Sequence, residues 1–134
     1  MSFNNKSILI TGATGSFGKT FVKYLTKNFK PKKIIIFSRD ELKQYNMKQE
    51  YISQKNLRFF IGDIRDEARL ELATQNVDII IHAAALKQVD TAEYNPFEYI
   101  KTNKLGSQNI INVSLKNEVE KVIALSTDKA VDPV

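Results

Sequence analysis

The stretch that decides the fold is ILITGATGSFGKT, residues 8–20. In it an apolar run ends at Thr11, glycines follow at positions 12, 15 and 18, and a segment with helical periodicity begins at once. A strand that enters a helix through a glycine turn is typical of the first half of a parallel βαβ unit. Because the first N–H groups of a helix lack partners within the helix, they attract an anion. The stretch therefore predicts a strand, an anion-binding turn and a helix, in that order.

The rest of the chain continues this alternation of short apolar runs and longer helical patterns. Strands are predicted at residues 7–11, 33–38, 57–63, 77–85 and 121–127. These runs are almost continuously apolar, as expected where helices cover both faces of a parallel sheet. The sequence therefore predicts an α/β fold, a doubly wound parallel sheet of the Rossmann type, which stops after the fifth strand.

Helices are expected between these strands. The first is amphipathic, with apolar residues at four-residue spacing. The second and third each follow an aspartate that can cap them, Asp40 and Asp66, and the fourth begins near Pro96 and ends about Asn117. The apolar positions of the first helix are Phe17, Phe21, Leu25 and Phe29.

Composition limits the class of protein. With 134 residues, of which 43% are apolar, the chain can bury a core and is expected to form one domain, residues 1–134. The absence of cysteine excludes disulfides, thiolate zinc sites and cysteine nucleophiles, and no metal site is expected. No apolar run approaches the roughly 18 residues of a membrane span, and no signal peptide is recognisable. We therefore expect a soluble, cytoplasmic protein that binds no membrane.

The net charge of +5 raises the question of a nucleic-acid partner. The densest basic segment, residues 27–33, falls at a predicted helix end and loop, where lysines commonly satisfy carbonyl groups and solvate the surface. We favour this interpretation and expect no nucleic-acid partner. A small ligand that carries phosphate would be attracted by the same charge.

The glycine turn has the spacing of a dinucleotide site. One glycine permits the tight turn, one lets the backbone approach a pyrophosphate, and one allows close packing of the helix. The alternative, glycines that only make a turn, explains the position between strand and helix less well. The predicted cofactor contacts of this turn are Gly12, Thr14, Gly15, Ser16, Phe17 and Gly18.

The end of the second strand indicates which dinucleotide binds. An acidic residue is expected there in an NAD site, where it accepts hydrogen bonds from the ribose hydroxyls. Here Ser38 replaces the acid, and Arg39 offers a guanidinium to a 2′-phosphate, which favours NADP over NAD. Asp40 is either a helix cap, which we favour, or a ribose ligand. Lys43, one turn later, could add positive charge at the same phosphate.

Further cofactor contacts are expected where the third and fourth strands end. Asp63 could accept a hydrogen bond from the adenine amino group, or it could be an ordinary turn residue, and Ile64 beside it is a further predicted contact. The small side chains of Ala83, Ala84 and Ala85 would let a cofactor lie across the edge of the sheet. His82, the only histidine, lies within an apolar run and is predicted to be packed rather than catalytic.

Six motifs in fixed order carry a family resemblance. They are TGATGSFGKT, FSRDELKQ, GDIRD, HAAALKQVDTAEYNP, KTN and LSTDKAVDP. Together they resemble the N-terminal part of the extended short-chain dehydrogenase/reductases that dehydrate UDP-N-acetylglucosamine, most of all the inverting 4,6-dehydratases of the pseudaminic acid and capsule pathways. The likeness covers essentially the whole chain.

The resemblance implies a mechanism. In that family bound NADP+ takes hydride from C4 of the UDP-sugar, water is lost across C5 and C6, and the hydride returns to C6 with inversion at C5. By resemblance, Asp128 is the acid that protonates the departing hydroxyl and Lys129 is the base at C5. Ser126 and Thr127 match residues that contact the substrate and orient its hydroxyl, Thr127 within the catalytic group. Lys87 matches a residue that approaches both cofactor and substrate.

The sequence departs from the family in two ways. The superfamily's tyrosine and lysine, spaced four apart, are expected just after Pro133 and are absent, and the Tyr51 to Lys55 match lies in the wrong place. We therefore expect the C-terminal substrate domain to be missing and the chain by itself to show little or no dehydratase activity. Gln88 stands where the pseudaminic acid enzymes usually carry histidine, which weakens the choice of pathway rather than of reaction.

Two other functions remain open. The chain could belong to another sugar-nucleotide enzyme such as a C4 epimerase, although the Asp128–Lys129 pair favours elimination. It could also be an NADP-binding module without catalysis. An exposed fifth strand at the sheet edge, together with the habit of the family, predicts a homo-oligomer.

Overall fold

The computed structural model describes residues 2–83 and 96–124, the latter from 104 onward with its side chains. In these ranges five strands alternate with four helices. The strands are β1 (Ser7–Thr11), β2 (Lys33–Ser38), β3 (Leu57–Ile61), β4 (Ile79–His82) and β5 (Lys121–Ala124). The helices are α1 (Ser16–Asn28), α2 (Glu41–Glu50), α3 (Glu67–Ala73) and α4 (Pro96–Lys116).

The strands form one parallel sheet in the order β3-β2-β1-β4-β5. The chain first moves outward from β1 to β3 and then crosses back to place β4 on the other side of β1. The predicted doubly wound parallel sheet is confirmed. In such a sheet, ligands bind at the carboxyl ends of the strands where the order reverses, here between β1 and β4.

Apolar side chains project from both faces of β1. Ile8 and Ile10 are fully buried in a cluster with Val22 and Leu25 of α1. Leu9 faces the other way, into a cluster that includes residues of α3 and α4. Full burial of each aliphatic side chain contributes roughly 1.5–3 kcal/mol. The two helix layers explain why the strand sequences are apolar without alternation.

The predicted helix caps are confirmed. The Asp40 carboxylate accepts a hydrogen bond from the Lys43 N–H at 3.0 Å, and the Asp66 carboxylate accepts one from the Arg69 N–H at 3.1 Å. Each satisfies a backbone donor that has no partner within its helix. Helix α2 ends at Glu50, three residues earlier than predicted, since residues 51–53 form a turn.

Two strands are shorter than predicted, with polar contacts at their ends. Strand β3 ends at Ile61, the partner of the last β2 residue, and the Gly62 N–H then donates to the Ser38 carbonyl at 2.9 Å. Strand β4 begins only after Asp78, whose carboxylate accepts from the Ser7 N–H at 2.8 Å. The predicted ends of the fourth and fifth strands, residues 84–85 and 125–127, lie outside the described residues.

Strand β5 lies at one edge of the described sheet and hydrogen-bonds to β4. Val122 of this strand is substantially exposed. None of the helices in the described ranges has the length and apolar character needed to cross a bilayer.

Gly18 provides a test of how closely α1 packs against the turn before it. A Cβ at Gly18 would lie 2.5 Å from the Ala13 Cα and 2.6 Å from its carbonyl carbon, and these backbone atoms cannot rotate away. Gly18→Ala should therefore lower the free energy of unfolding by about 1–3 kcal/mol, measured by urea denaturation.

Gly106→Ala is the matched control. The three atoms nearest to its Cβ would all belong to the Ile64 side chain, and the end of that side chain can move. Alanine is also favoured over glycine within a helix by about 1 kcal/mol. Equal loss of stability in the two variants would contradict the backbone contact as the cause.

Candidate functional site

The predicted site residues that the structure describes lie at or shortly after the ends of β1, β2, β3 and β4. The last residues of these strands are Thr11, Ser38, Ile61 and His82. Parallel pairing brings all four ends to the same edge of the sheet. The glycine turn follows β1 at this edge, beside the point where the strand order reverses.

The glycine turn has the conformation that its sequence requires. Gly12 has a φ of 64°, in the left-handed region that favours glycine, and its N–H donates to the Phe37 carbonyl at 3.0 Å. Gly15 is the N-cap of α1, no side chain caps the helix there, and its first turn holds no acidic residue. The first N–H groups of α1 therefore have no competing anion within the helix and can face a phosphate.

A cavity of about 470 Å³ opens between this turn and α2. Thr14 lies against it with only 3% of its surface exposed, and its buried Oγ1 has no hydrogen-bond partner within the described residues. A buried hydroxyl without a partner is costly, and a bound polar ligand would satisfy it. The lining residues are Thr14, Gly15, Ser16, Lys19, Thr20, Lys43, Asn46, Met47 and Glu50.

The cavity brings predicted and unpredicted residues together. Thr14, Gly15, Ser16 and Lys43 were expected at the cofactor, and the structure places them around one space. Lys19 was not expected there, although it lies one turn after Ser16 and so on the same side of α1. Lys19 and Lys43, in the first turns of α1 and α2, bring positive charge that suits a phosphate.

The other expected residues of the glycine turn lie apart from this space. Gly18 packs against the backbone of Ala13, which matches the role of a glycine that allows close helix packing. The ring of Phe17 stacks on that of Phe21, with 5.9 Å between centroids, and is partly exposed. A cofactor contact of Phe17 remains a prediction.

The end of β2 carries Ser38 and Arg39. Ser38 is buried, and its Oγ accepts a hydrogen bond from Nε2 of Gln44 at 3.0 Å. The Arg39 side chain is 60% exposed, and its Nη1 lies 3.7 Å from Oδ2 of Asp63. An exposed ion pair of this length contributes little stability, so the guanidinium can turn to another anion at low cost. Asp40 caps α2, as favoured, and its role at a ribose stays untested.

Asp63 is held as a charged acceptor. Both of its carboxylate oxygens accept a hydrogen bond from Nε of Arg65, at 3.1 Å each, and Oδ2 accepts another from Nη2 at 2.7 Å. Partial burial raises the pKa of Asp63, but hydrogen bonds from Arg65 and the charges of Arg65 and Arg39 outweigh it and hold the pKa below 3.8. Ile64 beside it contacts α4, where its carbonyl accepts from the Asn109 amide at 2.9 Å.

His82 is packed, as predicted. It is 2% exposed, and its Nδ1 lies 2.8 Å from Oγ1 of Thr11. Burial lowers the pKa of His82 from 6.5 to about 4, so the ring is neutral at physiological pH. Ala83, the next residue, is also buried.

The remaining predicted site residues lie outside the described residues. They are Ala84, Ala85, Lys87, Ser126, Thr127, Asp128 and Lys129.

The order of the strands and the glycine turn at the carboxyl edge of the sheet define the class of fold. A parallel sheet in the order β3-β2-β1-β4-β5, with a glycine turn at the start of α1, is a Rossmann-type nucleotide-binding fold. Comparison with protein families then assigns the chain: a model described as polysaccharide biosynthesis protein matches residues 8–134. The chain belongs to this family.

Curated relatives similar to the chain include enzymes of two kinds. The inverting UDP-N-acetylglucosamine 4,6-dehydratase of Campylobacter jejuni strain 81-176 is 60% identical over 98% of the chain. The UDP-glucose 4-epimerase of Rickettsia akari is 47% identical over the same share. The chain spans 39% of the length of each.

Solved structures agree on the fold. The X-ray structure of Pen from Bacillus thuringiensis matches 99% of the chain with a TM-score of 0.88 and 41% identity, and the chain covers 40% of it. UDP-glucose 4-epimerase from Bifidobacterium longum, solved with NAD+ and UDP, matches 91% of the chain with a TM-score of 0.72 and 29% identity. The chain covers 37% of that structure.

The buried His82 predicts a pH dependence of stability. Between pH 6.5 and about 4 the unfolded chain binds a proton at this ring that the folded chain does not, so the free energy of unfolding falls as pH falls through this window. The difference between 6.5 and about 4 corresponds to about 3 kcal/mol at the acid end. Urea denaturation at several pH values measures this slope.

A His82→Gln variant serves as control, since glutamine does not titrate. Its stability should vary less between pH 6.5 and 5 than that of the parent chain. Because His82 is the only histidine, its ring protons can also be followed directly by NMR. A midpoint near 6.5 in the folded chain would contradict the predicted shift.

Proposed function

We propose that the chain is the NADP-binding part of a UDP-N-acetylglucosamine 4,6-dehydratase that inverts C5, within the synthesis of a bacterial surface polysaccharide or flagellin glycan. The observation that carries the cofactor part is the cavity at the glycine turn, which is lined by two lysines and by Thr14, whose hydroxyl has no hydrogen-bond partner among the described residues. The reaction is supported by 60% identity to an enzyme of that name.

The choice of NADP rests on the end of β2. Ser38 cannot provide the two acceptor oxygens that a carboxylate offers to a ribose diol. Arg39 is exposed beside it and forms a long ion pair with Asp63, and Lys43 lines the cavity on the α2 side. The side chains of Arg39 and Lys43 donate hydrogen bonds, and a 2′-phosphate accepts them. The residues present therefore fit the phosphorylated cofactor better than NAD.

The proposed division of labour follows from the resemblance. Bound NADP+ would supply hydride acceptance at C4 and hydride return at C6. Asp128 is proposed to protonate the departing C6 hydroxyl and Lys129 to remove the C5 proton, with Ser126, Thr127 and Lys87 holding the sugar. By itself the chain is proposed to bind the cofactor and to lack dehydratase activity.

The proposal includes a cytoplasmic protein that self-associates. Support for association comes from the exposed side of β5 and from exposed apolar residues on α4. These are Leu105, Ile111 and Leu115.

A C4 epimerase is the second candidate, favoured by the 47% identity to the Rickettsia akari epimerase. Mass spectrometry of the product from a catalytically complete protein separates the two. A dehydratase product has lost the mass of one water, whereas an epimerase product keeps the mass of its substrate.

Arg39→Ala tests the cofactor. The dissociation constant for NADP+ should rise about 10–100-fold, as expected for the loss of a charge-assisted hydrogen bond, while that for NAD+ stays the same. Isothermal titration of the chain with each dinucleotide measures both constants.

Arg58→Ala is the matched control, because it removes the same charge at the opposite end of β3, where the guanidinium donates to the Lys55 and Leu57 carbonyls. It should leave both constants unchanged. Tighter binding of NAD+ than of NADP+ by the parent chain would refute the cofactor assignment.

A further inference from the structure

Gln44 lies beneath the end of β2, on the buried side of α2. The side chain is 3% exposed, although glutamine is usually a surface residue. Its Nε2 lies 3.0 Å from both Ser38 Oγ and the Phe60 carbonyl, and at longer range from two β2 carbonyls, Ser38 at 3.3 Å and Ile36 at 3.4 Å. Three of these four oxygens are carbonyls, which can only accept, so the amide nitrogen must be the atom that faces them.

This contact fixes what the Ser38 hydroxyl can do. An amide NH2 only donates, so Ser38 Oγ is the acceptor in its contact with Gln44. The hydroxyl keeps its single proton for another group, and that group must be an acceptor. Phosphate oxygens only accept at neutral pH, whereas a ribose hydroxyl can accept or donate. Gln44 thereby turns Ser38 into a donor.

The same amide joins the ends of two strands. It contacts Ser38 on β2 and the Phe60 carbonyl on β3, and the Gly62 N–H donates to the Ser38 carbonyl just beyond. From these two ends the chain continues into Arg39 and Asp63, whose side chains approach to 3.7 Å. Gln44 therefore holds the backbone from which both charged groups extend.

We propose that Gln44 is a positioning residue that sets the preference for a 2′-phosphorylated adenine nucleotide, by presenting the Ser38 hydroxyl as a donor beside Arg39. This inference rests on the proposed NADP site. It adds a residue that contacts no cofactor atom and acts through Ser38.

The test uses Gln44→Met, which keeps the length of the side chain and removes its donors. Two probes are titrated calorimetrically, adenosine 2′,5′-bisphosphate and adenosine 5′-monophosphate, which differ only in the 2′-phosphate. The dissociation constant for the monophosphate divided by that for the bisphosphate is the ratio that reports the 2′-phosphate preference. This ratio should fall about tenfold in the variant, through weaker binding of the bisphosphate. Gln49→Met, an exposed glutamine on the same helix, is the control and should leave the ratio unchanged.

A second variant separates positioning from folding. Ser38→Ala removes the hydroxyl and keeps the contact of Gln44 with the Phe60 carbonyl, and it should lower the ratio to a similar extent. In the double variant the two losses should not add, because both act through one hydroxyl. Thermal unfolding of each variant shows whether it is folded. If Gln44→Met is unfolded, the ratio measured for Ser38→Ala decides whether the hydroxyl sets the preference.

The outcomes distinguish this inference from the proposed function. An unchanged ratio in Gln44→Met or Ser38→Ala, with a ratio that falls in Arg39→Ala, would overturn the role of Gln44 and leave the NADP site standing. Equal weakening of both probes would show a purely structural role and overturn it as well. A parent chain that binds both probes equally would refute the NADP site and this inference together.

Discussion

The burial of β1 on both faces and along both edges is the constraint on which the rest of the structure depends. All five of its residues are buried, and it pairs with β2 on one side and β4 on the other. A slip of one residue would exchange the side chains on its two faces, so the close packing of both helix layers opposes a change of register. The glycine turn therefore begins at a fixed position at the end of β1. The sheet thereby also sets the position of the first N–H groups of α1.

Much of the fold follows from local sequence, and much of the site does not. Continuous apolar runs predict the strands, and Asp40 and Asp66 predict their helix starts, because a cap needs only neighbouring residues. Gln44 gives no such signal, since its role appears only when β2 and β3 pair above it. The early end of β3 and late start of β4 likewise depend on contacts between strands that no run of apolar residues reveals.

The site residues show the same division. The glycine spacing predicts the turn, and Arg39 in place of an acid predicts the charge at the end of β2. The cavity that joins Thr14 to Lys19 and Lys43 depends on how α1 and α2 sit on the sheet, a distance set by packing. The depressed pKa of Asp63 depends on Arg65, which folds back on it within a turn. The residues that the resemblance makes catalytic, Thr127, Asp128 and Lys129, stay predictions, as does Ser126 at the substrate.

The pairing of β1 with β4 also bears on the order in which the chain can fold. Thr11 and His82, which share a hydrogen bond at the ends of these strands, are separated by 71 positions. During synthesis β1, β2 and β3 can assemble through short crossovers. The other edge of β1 stays unpaired until β4 has been made. Long-range parallel pairing of this kind is slow, and an unpaired apolar strand is prone to association in the interval. Among the described strands, β1 is thus made before the others, but its pairing is complete only after β4 has been made.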